Sequence, residues 1–193
     1  GDGTGYYSSS KVASPYCLVK KFKNGEAFYY QQIYAASFVC PGCKVVIPTF
    51  PEVITQQDGS TKNDCERNAA KRYYDEFRRE HPHLKVIVVE DGLSSNGPHI
   101  RDLKGHNLRF ILGAKPGDHV ALFTLLNQAV AEGKATDLEF LDPDDRKKMH
   151  FFRFMNQVPL NKSHPDLLIN VLEYWQIDKD EKITKFSWVT DIT

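Results

Sequence analysis

The chain has 193 residues with 25 Lys plus Arg against 25 Asp plus Glu, so its formal charge is zero. That length suits one large domain or a domain with an insertion, and 41% hydrophobic residues with 9 Tyr, 12 Phe and 2 Trp exclude a disordered chain. No apolar run reaches the ~18–20 residues of a membrane span, and charge neutrality requires any nucleic-acid surface to come from local segregation of charge.

In chain order, residues 16–22 and 27–39 read as strands, rich in aromatic and β-branched residues. Between them Lys23-Asn24-Gly25-Glu26 carries the Asn-Gly signal of a hairpin. Cys40-Pro41-Gly42-Cys43 makes a second tight turn into Lys44-Val45-Val46-Ile47-Pro48, so the first fifty residues predict an antiparallel meander. From 63 the period changes. Asn63 and Glu66 have the spacing of a capping box, and Cys65, Ala69, Tyr73 and Phe77 form one helical stripe. His81-Pro82 ends that helix, because the residue before proline is pushed out of the α region.

The run from Leu84 to Val89 predicts a central strand covered on both faces. Asn96-Gly97-Pro98 opens a short helix to about Lys104, and Leu108 to Leu112 is a second buried strand. Asp118 can cap a helix reaching about Glu132, with Gly133 as its stop. Strands follow at 136–141, 149–158, 167–177 and 182–190, joined by turns at 142–145 and 178–181. The whole predicts a mixed α/β sheet with a β-rich addition.

Asp91 comes directly after the strand ending in Val89-Glu90 and before Gly92. Ligands of open α/β sheets gather at the carboxyl ends of strands, which is where a catalytic carboxylate would stand. A turn-forming or capping aspartate fits the same position. Alternation sends Glu90 to the opposite face, as a structural group. Asp2 is a second carboxylate, in a Gly-rich context that permits close approach of a large ligand, although on position alone a frayed end-of-chain turn is the stronger reading. Two carboxylates a few ångströms apart repel unless a divalent cation lies between them. Hard oxygen ligands favour Mg²⁺ or Mn²⁺, and two ions ~3.5–4 Å apart are usual in phosphodiester chemistry.

Five blocks now acquire a common meaning. They are 2–9 (Asp2-Gly3-Thr4-Gly5-Tyr6-Tyr7-Ser8-Ser9), 62–72, 88–100, 109–119 and 186–191. In order and spacing the sequence resembles a bacterial insertion-sequence transposase of the DDE type. The resemblance implies a ribonuclease H-like mixed sheet with flanking helices and a β-rich insertion. Its domain plan is a core over 1–116 with most of the first strand missing, an inserted section over 117–181, and a return strand over 182–193. It implies Asp2 and Asp91 as the first two metal-holding and catalytic carboxylates, with Mg²⁺ or Mn²⁺ as cofactor in a two-metal site. The third carboxylate, a Glu, is expected beyond residue 193, so the chain is expected to be a piece that is inactive alone.

The implied activity is metal-dependent DNA strand cleavage and strand transfer in a bacterial cytoplasm. Transposon ends and target DNA are the implied partners, no membrane is involved, and a homodimer is open as the form of the active complex. Two alternatives stay open beside it: a non-catalytic DNA-binding or structural domain of the same fold, and a metal-dependent nuclease without strand transfer.

The remaining motifs are weaker. A four-thiolate zinc site at Cys17, Cys40, Cys43 and Cys65 is the lesser reading, because a solitary CxxC lacks a second pair at finger-like spacing; a hairpin turn with incidental thiols is the greater. No two of the seven His stand at i, i+4, and neither a phosphate loop nor a GxSxG elbow occurs. Basic residues cluster at Lys20, Lys21 and Lys23, at Arg67, Lys71, Arg72, Arg78 and Arg79, and at Arg146, Lys147, Lys148 and Arg153, each offset by acidic neighbours. Lys115 is the exception: it leaves a core strand near the expected site and predicts a DNA-phosphate contact.

Overall fold

The structure, a computed structural model, describes residues 1–56, 62–145 and 148–193, without the side chains of 62–64. The chain divides into two compact units, Gly1–Leu84 and Lys85–Thr193. Both combine helices and strands, which makes the protein mixed α/β, and no helix among the described residues is long and apolar enough to cross a membrane.

In the first unit β1 (Asp2–Ser9), β2 (Leu18–Lys21) and β3 (Ala27–Ala35) form an antiparallel sheet in the order β1-β3-β2. Here β4 is Ser37–Phe38, β5 is Ile47–Pro48 and β6 is Glu52–Ile54; β6 also pairs with β3, and β4 pairs with β5. The Asn24-Gly25 hairpin forms as its sequence predicts, with Gly25 at φ +85° and the Phe22 amide bonded to the Glu26 carbonyl at 2.9 Å. The expected strand at 27–39 is interrupted at Ala36, and of the 44–48 run only the last two residues pair.

Helix α1 (Lys62–Glu80) buries Cys65, Ala69, Tyr73 and Phe77, the stripe that helical periodicity predicts. Tyr73 is wedged among Phe50, Tyr34, Tyr74 and Phe77 at centroid distances of 4.8–6.1 Å. Its hydroxyl and that of Tyr74 are satisfied by Thr49 at 2.7 Å and Tyr34 at 2.9 Å, as buried phenols require. The capping box expected at Asn63 rests on a side chain outside the described ones.

The second unit holds one six-stranded sheet in the order β7-β8-β12-β11-β10-β9. Its strands are β7 (Ile87–Glu90), β8 (Arg109–Gly113), β9 (Thr136–Leu141), β10 (Met149–Asn161), β11 (His164–Ile177) and β12 (Ile183–Thr190). β7 and β8 are parallel, linked by α2 (Gly97–Gly105), and the other neighbours are antiparallel. Strands β9 to β11, expected as an inserted section, continue the sheet that contains β8 and β12. One face of the outer strands carries an aromatic cluster, Phe140, His150, Phe152, Tyr174, Phe186 and Trp188, with ring centroids of neighbouring pairs 4.9–6.5 Å apart.

Two local expectations are corrected. β7 is an edge strand and not a central one: Val88 and Glu90 are buried, while Ile87 and Val89 are 52% and 58% exposed. A continuous apolar run carries no information on whether its second face is covered. Helix α3 (Val120–Ala131) starts at His119 and not at Asp118, and no side chain caps it. Its end matches expectation. Gly133 at φ +68° bonds to the Val130 carbonyl and Lys134 to that of Ala129, the paired bonds of a Schellman stop.

Candidate functional site

The residues that follow β7 form a tightly bonded turn. The Leu93 amide donates to Asp91 Oδ1 at 2.9 Å, the Ser94 amide to the Asp91 carbonyl at 3.2 Å, and the Asn96 side chain to the Leu93 carbonyl at 3.0 Å. Asn96 then caps α2, accepting from the His99 amide at 3.1 Å, with Pro98 in the first turn. One oxygen of Asp91 is thus engaged by the backbone. The carboxylate is exposed and makes no ion pair among the described residues.

Glu90 points the other way, as alternation predicts. It is buried and meets the buried His99 ring at 2.6 Å, tying the end of β7 to the first turn of α2. From the far side the turn is held by His119, which opens α3. Its Nε2 lies 2.7 Å from Ser95 Oγ, and Ser95 Oγ donates to the Gly92 carbonyl at 2.9 Å. Burial lowers the His119 pKa, outweighing the opposing charge of Asp118, and so favours the neutral ring.

Glycines let this turn sit close to β8. A Cβ on Gly113 would lie 3.1 Å from the Gly92 nitrogen and 3.3 Å from the Asp91 carbonyl carbon. A Cβ on Gly92 would sit 3.7 Å from both Cγ and Cε of Lys115, so the Lys115 stem lies over the residue next to Asp91. Lys115 is exposed and makes no ion pair among the described residues. The Lys115 stem thus lies beside Gly92, the residue that follows Asp91. Ser95 and His119 belong to the same cluster, and sequence reasoning missed them because a bond across 24 residues leaves no local signal.

Asp2 belongs to the first unit. It opens β1, in register with Ala35 on β3, and its carboxylate is exposed. The strand itself is a correction, since the Gly-rich sequence reads as a bend or a frayed end. The glycines also serve a different purpose from the expected one. A Cβ on Gly3 would fall 2.6 Å from the Glu66 carboxyl carbon, and the Gly3 amide donates to Glu66 Oε1 at 3.2 Å. The room at Gly3 is taken by a side chain of α1.

Of the four cysteines, Cys17 and Cys65 are buried, whereas Cys40 and Cys43 are exposed at the 40–43 turn. Among the described residues no group of three or more His, Cys, Asp or Glu is placed to hold a metal ion. Several basic side chains have local partners. Arg72 pairs with Glu52 at 2.7 Å, Arg79 with Glu76, Arg153 with Asp137 at 2.9 Å and Lys185 with Glu173 at 2.8 Å. Arg78 donates to the carbonyls of His81, Pro82 and Leu84 at the end of α1. Arg146 and Lys147 lie outside the described residues. Comparison of the sequence with protein-family models and with curated proteins finds no match.

Proposed function

We infer that this chain contributes two metal-holding carboxylates, Asp2 and Asp91, to the catalytic domain of a DDE-type DNA transposase of ribonuclease H-like fold. The observation that carries the reading is where the two aspartates stand. Asp2 opens β1, which pairs only with β3 in its unit; Asp91 follows β7, which pairs only with β8 in its own. Each aspartate thus stands on or directly after an edge strand of its own sheet among the described residues, with its carboxylate exposed. The parallel β7–β8 pair linked by α2 is also the arrangement that puts ligands at strand carboxyl ends.

The residues present suit a hard divalent cation. Both carboxylates are exposed, and Asp91 keeps one oxygen free of the backbone bond from Leu93. A bound Mg²⁺ or Mn²⁺ pair supplies a charge that activates a water or a DNA 3′-hydroxyl and neutralises the leaving 3′-oxygen. The chain's own residues position and neutralise. The Leu93 amide fixes the Asp91 carboxylate, Ser95 and His119 fix the turn that carries it, and Lys115 offers a cation to a backbone phosphate beside that turn. No covalent bond between protein and DNA is required.

Titration of the chain with Mn²⁺, followed by loss of its free-ion paramagnetic resonance signal, tests the reading. Weak binding that disappears in Asp91→Asn supports it. Absence of Mn²⁺ binding, or Mn²⁺ binding that is unchanged in Asp91→Asn, favours a non-catalytic domain of the same fold.

A further inference from the structure

The exposed cysteine pair is left unused by that function and stands at the two ends of one tight turn. The Cys43 amide bonds to the Cys40 carbonyl at 3.0 Å, and Gly42 sits at φ +76°. Pro41 at the second position cannot take a positive φ, which excludes the mirror-image turns and leaves type II. A turn of that kind brings its end residues to within ~7 Å between Cα atoms. Its base is fixed as well: Phe38 is in register with Ile47, and Thr49 donates both its amide and its hydroxyl to the Ala36 carbonyl at 2.9 and 2.8 Å.

Two thiols held on a short rigid turn are a chelating pair for a soft divalent cation, and zinc asks for four ligands in a structural site. The described residues do not supply the other two. Cys17 and Cys65 are buried, and no third His, Cys, Asp or Glu joins the pair among the described residues. The same hairpin exposes Val39, Val45, Val46 and Ile47 to 56–70%. Such a collar of branched apolar side chains around a turn is what an association surface presents.

We propose that the Cys40–Cys43 hairpin is a two-thiolate half-site for Zn²⁺, completed by the same hairpin of a second copy of this chain. Two-fold symmetry is the simplest closure, since one self-complementary patch then supplies all four sulfurs. Charge supports that occupant: four thiolates around Zn²⁺ leave two negative charges, and the exposed Lys44 of each copy brings one positive charge next to its cysteine. On binding, four S–H bonds are replaced by four Zn–S bonds and four protons pass to the buffer. The proposal does not depend on the activity inferred above, because it involves neither Asp2 nor Asp91.

The test is a Zn²⁺ titration of the full chain under a non-thiol reductant, reading mass in solution, bound zinc and released protons together. The expected result is one zinc per two chains, a zinc-dependent dimer that a chelator dissociates, and up to four protons per zinc. Cys40→Ser and Cys43→Ser should each lose the zinc and the dimer, and circular dichroism should show both folded, since both side chains are exposed. Co²⁺ in place of zinc should give the intense visible absorption of a tetrahedral thiolate site. A monomer at saturating zinc, one zinc per chain, or zinc that survives either serine variant would overturn the proposal.

Discussion

Ser95 Oγ donates its only proton to the Gly92 carbonyl at 2.9 Å, so the 2.7 Å contact with His119 Nε2 is a bond that the histidine donates. That assignment has two consequences. The serine is not a nucleophile activated by a base, since its proton points away from the ring. And the ring acts as a clasp between the start of α3 and the turn carrying Asp91.

The clasp predicts an order among His119 variants. The amide nitrogen of Gln sits where Nε2 does, so His119→Gln should keep Mn²⁺ affinity near that of the parent, while His119→Ala and Ser95→Ala should weaken it by a similar factor. The double Ala variant should be no weaker than either single one, because both remove the same bond. Strictly additive losses would show that the two side chains act separately.

Protonation of the same ring sets a pH dependence of stability. Burial holds the His119 pKa below its ordinary 6.5, so as pH falls below about 6.5 the unfolded chain takes up the proton before the folded one does. Stability contributed by the neutral ring is therefore complete above that value and declines toward the lower folded pKa. Denaturant unfolding at a series of pH values should show this slope, and His119→Gln should flatten it.

Much of this site can be read from the sequence, and the rest was hidden for identifiable reasons. The turn after β7, the cap at Asn96 and the stop at Gly133 are local devices, and each formed where its residues indicate. Strand β1 was not legible because Gly3 and Gly5 are poor strand residues; its existence depends on pairing with distant β3 and on the room Gly3 leaves for Glu66. The edge position of β7 was equally invisible, since Leu84 to Val89 reads the same with one covered face or two. His119 displaced Asp118 as the N-cap residue of α3, where its ring reaches Ser95.

The buried Glu90–His99 pair should be more costly to break than any surface ion pair of the protein. Removing one partner by Glu90→Ala or His99→Ala leaves a buried polar group without its 2.6 Å contact, which typically costs roughly 3–5 kcal/mol. Urea unfolding should register the loss, and a change under about 1 kcal/mol, the worth of an exposed pair, would show that the contact contributes little.

At lower pH, acid should act on a second group of the same unit. The His150 ring and the amides of Asp144 and Asp145 bond the Asp142 carboxylate and hold its pKa down to about 2, from an ordinary 3.8. The stabilisation is complete above the ordinary value and is lost as pH falls from there through about 2. Asp142→Asn should remove that part of the acid transition, seen as a smaller change in thermal midpoint between the two pH values.

Lys115→Ala should weaken DNA binding uniformly across sequences and lower the salt slope by about 1, as expected for one lost phosphate contact. Equilibrium binding to unrelated duplexes over a range of salt concentrations checks it. Unchanged affinity and slope would remove Lys115 from the DNA surface.

The joint use of Asp2 and Asp91 is open to a direct chemical measurement. With Fe²⁺ in place of Mg²⁺, ascorbate and peroxide generate radicals at the bound ion that cut the polypeptide beside its ligands. Cuts next to both Asp2 and Asp91, both abolished by Asp91→Asn alone, are the predicted result. Cuts at neither position, or cuts near Asp2 that persist in Asp91→Asn, would contradict a shared metal centre.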